Sequence, residues 1–208
     1  MSRKLTKLVA EIKQCRLCAD NPMGLPLPHD PRPVLIVESA ARLCICGQAP
    51  GTRVHASGRP FTDPSGDRLR DWMGVTLEEF YDSTKVAIIP MGFCFPGLDA
   101  KGGDLPPRRE CADRWRSELF GHLGSVELIL LAGQYAQKWH LGKCCKASLT
   151  ETVRNWRQYT KEKHGPAFLP LPHPSWRNNA WLKKNPWFET EVLPYLRIQV
   201  RHLIDSSE

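Results

Sequence analysis

The chain has no run of 18 apolar residues, so no segment reads as a membrane span. Residues 1–15, MSRKLTKLVAEIKQC, are charged throughout and lack the apolar core of a signal peptide, which makes a cytoplasmic protein the expectation. There is no internal repeat, no low-complexity segment and no long Lys/Arg block, so any basic surface must be assembled by folding. A P-loop and a G-x-G-x-x-G turn are also missing, which ranks a phosphate-cradling small-molecule enzyme last. What remains is an ordinary globular composition, 41% hydrophobic and 25% charged, with a net charge of +7. That sign suits a polyanion such as nucleic acid as well as it suits a merely basic enzyme.

The 208 residues suffice for one well-buried domain, 1–208, divided into an N-terminal helix and Pro-rich arm (1–33) and a core (34–208). Leu5, Leu8, Val9 and Ile12 share one face of a helix over 3–14. NPMGLPLPHDPRP (21–33) reads as an extended surface loop, because its prolines exclude regular structure. Four apolar runs read as buried strands, over 41–47, 85–92, 126–133 and 166–174. Helices are expected over 65–75 (capped by Ser65), 108–123, 133–141 and 186–204, and the charged stretch 143–165 reads as a surface excursion with a β-hairpin. Strand and helix alternate, so the fold class is α/β with a parallel sheet covered on both faces. The ligand crevice of such a fold lies beyond the carboxyl ends of its strands.

Eight cysteines without a secretion signal point to metal ligation or plain burial rather than disulfides. Cys15 and Cys18 form C-x2-C, and Cys94 and Cys111 lie in later segments. Such a set can make a four-sulfur site for zinc or for a [4Fe–4S] cluster, while Cys94 and Cys111 read equally as buried thiols. In CICGQAPGTRVHASGRPF (44–61) an apolar strand exits through Gly47, Pro50 and Gly51, a turn that lets backbone N–H groups face a crevice. Gln48 stands at the strand tip, placed to position a water or to cap the next element. In LPLPHPSWRNNAW (169–181) His173 ends a strand, where it can donate to a developing anion. Arg177, Lys183 and Lys184 interleave with Trp176, Trp181 and Trp187, a pattern that suits phosphate contact and base stacking.

Taken in order, CRLC (15–18), GQAPG (47–51), GRPFTDPSGDRL (58–69), Cys94, Cys111 and HPSWRN (173–178) resemble the uracil-DNA glycosylase superfamily, most closely its iron–sulfur branch. The resemblance implies a three-layer α/β/α sandwich around a four-stranded parallel sheet. It implies hydrolysis of the N-glycosidic bond of uracil or a related deaminated base in DNA, by a protein that is also expected to be monomeric and to have no membrane partner. Under it the cysteines would carry a [4Fe–4S] cluster rather than zinc, in a structural role. His173 would donate to the departing base and Phe61 would stack on it, with Gly47 and Ala49 alongside. Backbone at Ala49, Gly51, Ser65 and Gly66 would hold phosphates, and Arg177 or Trp176, beside Ser175, would wedge into the gap left in the base stack.

Two positions depart from that branch. Gln48 stands where the branch has Glu, and an amide can orient a water but cannot act as a base. Asp63 is the nearest carboxylate in sequence, with a turn-forming role as its other reading. Pro90 stands where the branch has the Asn that reads the pyrimidine edge, and His55 is an extra polar group that can contribute to base binding or equally face solvent. These departures motivate a second reading, a non-catalytic or weakly catalytic protein of the same fold that binds damaged or single-stranded DNA.

Overall fold

The computed structural model describes residues 2–161 and 165–205. Its helices are α1 Arg3–Lys13, α2 Leu17–Asp20, α3 Thr52–Ser57, α4 Pro64–Met73, α5 Leu77–Tyr81, α6 Arg109–Phe120, α7 Gln134–Leu141, α8 Leu149–Arg154, α9 Trp156–Tyr159, α10 Asn179–Lys184 and α11 Leu193–Asp205. The strands are β1 Leu43–Cys46, β2 Val86–Ile88, β3 Leu128–Ala132 and β4 Ala167–Leu171, hydrogen-bonded in the order β2-β1-β3-β4 with every pair parallel.

The strands are apolar on both faces because each face feeds its own core. Cys44, Cys46, Ala87, Ile89, Ile129 and Leu131 pack with α1, α6 and α7. Leu43, Ile45, Val86, Ile88, Leu128 and Leu130 point the other way, against α4, α5 and α11. The result is the α/β/α sandwich expected from the alternation of elements. All four strands fall inside the expected runs, shortened at both ends.

Two local readings are corrected. Helix α4 is capped by Asp63 rather than Ser65: Asp63 accepts the Gly66 N–H at 3.2 Å, and Pro64 takes the first helical position, where a missing N–H costs nothing. The stretch 143–165 holds α8 and α9 rather than a hairpin among its described residues. Ser148 and Glu151 form a capping box there, and Val153 and Trp156 are buried in the α11 layer.

The end of β2 is fixed by a buried cation. Arg116 is fully buried, and its Nη1 donates to the carbonyls of Ile89 (3.2 Å) and Pro90 (2.7 Å). Its Nη2 reaches Cys46 Sγ at 3.4 Å and His140 Nε2 at 2.8 Å. Burial pushes the Cys46 thiol up, but the Cys44 thiol, Arg116 and His140 together hold it well below the usual thiol range.

A bidentate pair ties α5 to α11, with both Arg201 terminal nitrogens 2.8 Å from Glu79. The Arg201 hydrogen bonds, opposed by burial and helped by the Thr76 N–H, lower the Glu79 pKa from 4.5 to about 2. A depressed carboxylate contributes stability that is complete above its unfolded pKa and is lost as pH falls through its folded one. Glu79→Gln keeps the capping reach to Thr76 but removes the charge. Melting curves are therefore expected to show wild type losing more stability than the variant between about pH 4.5 and 2.

Candidate active site

An opening of about 610 Å³ lies at the carboxyl ends of the strands, where the chain leaves β1 for β2 on one side and β3 continues on the other. Gly47 and Gln48 enter it from β1, Ile88 and Pro90 from β2, and His173 from beyond β4. Phe61, Asp63 and Ser65 close one side, and Ser175, Trp176 and Arg177 form the opposite lip. The sequence motifs around residues 47, 61 and 173 therefore meet at one place.

Backbone bonds align the first wall. The Met91 and Gly92 N–H groups donate to the Gly47 and Gln48 carbonyls at 3.0 and 2.9 Å, extending the β1–β2 pairing into the crevice. Gly133, with φ +94°, follows β3 between the two neighbouring strand ends. A side chain there would come within 3.4 Å of both Gln48 Nε2 and His173 Cβ. The missing side chain lets Gln48 and His173 approach each other over β3.

His173 is held from behind: its carbonyl accepts Asn178 Nδ2 at 2.7 Å, and Arg68 from α4 donates to the Ser175 carbonyl at 3.1 Å. Burial lowers its pKa to about 4, against the opposite pull of Asp63. At neutral pH the imidazole is uncharged and carries one N–H donor.

Phe61 occupies the left-handed region, φ +56°, uncommon for a residue with a side chain. Its carbonyl accepts from Tyr81 Oη at 3.1 Å and Arg70 Nη1 at 3.3 Å. The ring packs edge-on to Phe80, 6.0 Å between centroids, and its tip lies over Gly47, where a Cβ would stand 3.3 Å away.

Other expected residues fall differently. His55 is not among the residues lining the opening; on α3 it faces His29 and Phe95, with ring centroids 4.1 and 5.9 Å away. Burial first, then His29 and Arg32, lower its pKa. Gly66 does not line the opening either, and its N–H donates to Asp63. Asp63 does line it, while also capping α4. Ala49 and Gly51 line it too, but the group beside Gly51 is the Asp104 carboxylate, with Oδ2 3.3 Å from where a Cβ would stand. Sequence reasoning missed Asp104: KGGDLPP has no periodicity, and only folding brings it to the turn at 47–51. Of the two wedge candidates, Trp176 is 70% exposed, whereas Arg177 leans on the loop bearing Asp104, with Nη1 3.2 Å from the Cβ position of Gly103.

Cys15, Cys18, Cys94 and Cys111 line a second, small cavity between α1, α6 and the proline-rich arm. The Trp115 indole N–H donates to Cys15 Sγ at 3.3 Å and the Phe93 N–H to Cys111 Sγ at 3.4 Å. Burial pushes the Cys18 thiol up to about 12 and the Cys94 thiol up to about 11. Among the described residues no group of three or more His, Cys, Asp or Glu side chains is arranged to hold a metal ion. None of the described helices is long and apolar enough to cross a membrane.

The family model of the uracil DNA glycosylase superfamily matches residues 35–197 of this chain, a span that contains every crevice-lining residue except Val34 and leaves out α1, Cys15 and Cys18.

The close packing behind Phe61 is testable. A Cβ at Gly66 would lie 1.9 Å from the Phe61 carbonyl oxygen. Alanine is favoured over glycine inside helices by about 1 kcal/mol, so propensity alone predicts a more stable Gly66→Ala protein. The collision reverses the sign: denaturant titration is expected to show a net loss of about 1–3 kcal/mol.

Proposed function

The chain belongs to the uracil-DNA glycosylase superfamily, and from that membership we propose that it is a monofunctional DNA glycosylase that releases uracil or a related deaminated base. One observation carries the reading: a neutral His173 donor and the Phe61 ring line the same opening at the strand ends. A base within a duplex is out of reach, so the nucleotide must swing out of the stack, at a cost of a few kcal/mol that is least for mispaired bases. The net charge of +7 and the exposed Trp176 on the lip support contact with a nucleic-acid backbone and with the gap left behind.

As the C1′–N bond breaks, its electrons move onto the base and develop charge on a carbonyl oxygen. The His173 N–H donates to that oxygen. Because the imidazole is already neutral and its backbone is held by Asn178, no proton need be lost in the step. Water adds to C1′ and completes the abasic sugar. Gln48 orients that water but cannot take its proton. Val34, Ile88, Pro90 and Phe61 give the base apolar walls, and Pro90 offers no side-chain hydrogen bond, which supports acceptance of more than one deaminated base.

A [4Fe–4S] cluster on Cys15, Cys18, Cys94 and Cys111 is part of the proposal. Four thiols at one cavity, two of them already accepting N–H hydrogen bonds, form a donor set suited to thiolate ligation. Each thiolate of such a cluster ligates its own iron, so the set need not close around a single ion as zinc requires. The cluster would join the N-terminal helices to the loop after β2 and supply no step of the hydrolysis.

Two experiments test this reading. Free base is expected from at least one oligonucleotide containing uracil, hypoxanthine, xanthine or a thymine mismatch, and His173→Ala is expected to reduce the rate by about 10²–10³-fold. Turnover on none of them, with salt-sensitive binding to abasic or single-stranded DNA, selects the binding-only reading that Gln48 and Pro90 motivate. Protein purified without oxygen is expected to contain iron and acid-labile sulfide in equal amounts, lost in Cys111→Ser; a colourless protein containing zinc overturns the cluster.

A further inference from the structure

We propose that Asp104 is the catalytic base of this site, taking the proton from the water that Gln48 orients; the assignment rests on the glycosylase reading above. The hydrolysis needs an acceptor for one proton, and the usual acidic position holds an amide. Two carboxylates line the opening, Asp63 and Asp104. Asp63 is committed to capping α4 through its bond to the Gly66 N–H. Nothing among the described residues donates a hydrogen bond to the Asp104 carboxylate, which leaves its lone pairs open to the cavity.

The loop around Asp104 is built to hold it. Asp99 Oδ1 accepts the N–H groups of Lys101 and Gly103, both at 2.8 Å, and the Leu105 N–H donates to the Gly97 carbonyl at 2.9 Å. Leu98 and Asp104 pair across this hairpin. From there the carboxylate reaches over Gly51, the one residue of the turn 47–51 whose missing side chain makes the room. Gln48 and Asp104 thus sit near opposite ends of one turn, on the same opening as His173.

Charge around the group fits the role. Burial raises the Asp104 pKa, Arg177 opposes the rise, and Asp63 and Asp99 add to it. These are the charged groups that face it, and together they leave a carboxylate more basic than a free one. In the step, the water oxygen bonds to C1′ as its proton passes to Asp104. The C1′–N bond breaks with its electron pair going to the base, whose carbonyl oxygen accepts from His173; the departing base anion takes a proton from solvent, and Asp104 returns its own proton to solvent.

The test is single-turnover base release from the best substrate of wild type, measured across pH and alongside abasic-DNA binding. Asp104→Asn is expected to slow release by about a hundredfold or more, to lose the acid-side limb of the pH profile and to keep abasic-DNA binding. Asp104→Glu, and Gln48→Glu placed in the Asp104→Asn background, are expected to restore a large part of the rate by returning a carboxylate to the turn. Asp104→Asn activity within a few-fold of wild type with an unchanged pH profile overturns the assignment and leaves the glycosylase reading standing. Failure of both carboxylate-restoring variants likewise overturns it, as a merely positional role predicts. Absence of release by wild type from every substrate overturns the glycosylase reading, and this one with it.

Discussion

The crevice depends on a single strained peptide. Phe61 holds a left-handed backbone conformation, and such residues cost about 1–3 kcal/mol unless their surroundings over-determine them. Here they do. Tyr81 and Arg70 bond its carbonyl from one side, and Gly66 allows α4 to approach from the other, closer than any side chain would permit. If that peptide relaxed, the ring would leave its place above Gly47 and the opening would lose a wall. The glycine that resembled a phosphate contact in the sequence is needed for this packing.

A second constraint works from beneath. Arg116 is a buried cation with no carboxylate among its hydrogen-bond partners: its two terminal nitrogens meet two carbonyls, a sulfur and an imidazole, while its Nε has no partner among the described residues. Its bonds to Ile89 and Pro90 fix the end of β2 while the residues after it pair with Gly47 and Gln48. Removing such a group from its partners would leave buried acceptors without donors, a cost of about 1–3 kcal/mol for each. Together with the absence of a side chain at Gly133, this brings the ends of three strands to one point. The site is therefore a product of the sheet, and the loops add the charge.

Much of this was legible in the chain. Continuous apolar runs identified the strands because a sheet buried on both faces requires them, and the motifs at residues 47 and 173 each stood at the end of an expected strand, while the one at 58 led into an expected helix. What failed was local or long-range. Ser65 was read as the cap although Asp63 precedes Pro64 and is the better-placed oxygen. His55 was read as a pocket residue, but α3 turns it toward His29 of the arm, a contact between segments that sequence spacing does not encode. Asp104 was invisible for the same reason: its neighbour across the opening, Gly51, is more than fifty positions away. The four cysteines converge on one cavity, as C-x2-C and two later thiols suggested, and the cluster itself is carried by the proposal.

The proposed hydrolysis requires a flipped base held between Phe61 and His173. Its most direct test is a crystal structure of the protein with a duplex carrying 2′-fluoro-2′-deoxyuridine opposite guanine, an analogue whose glycosidic bond resists cleavage. The expected complex has an extrahelical base stacked on the Phe61 ring, one carbonyl oxygen within hydrogen-bonding distance of a His173 ring nitrogen, and Trp176 at the vacated position. A base that stays in the duplex, or is bound away from Phe61 and His173, would contradict it.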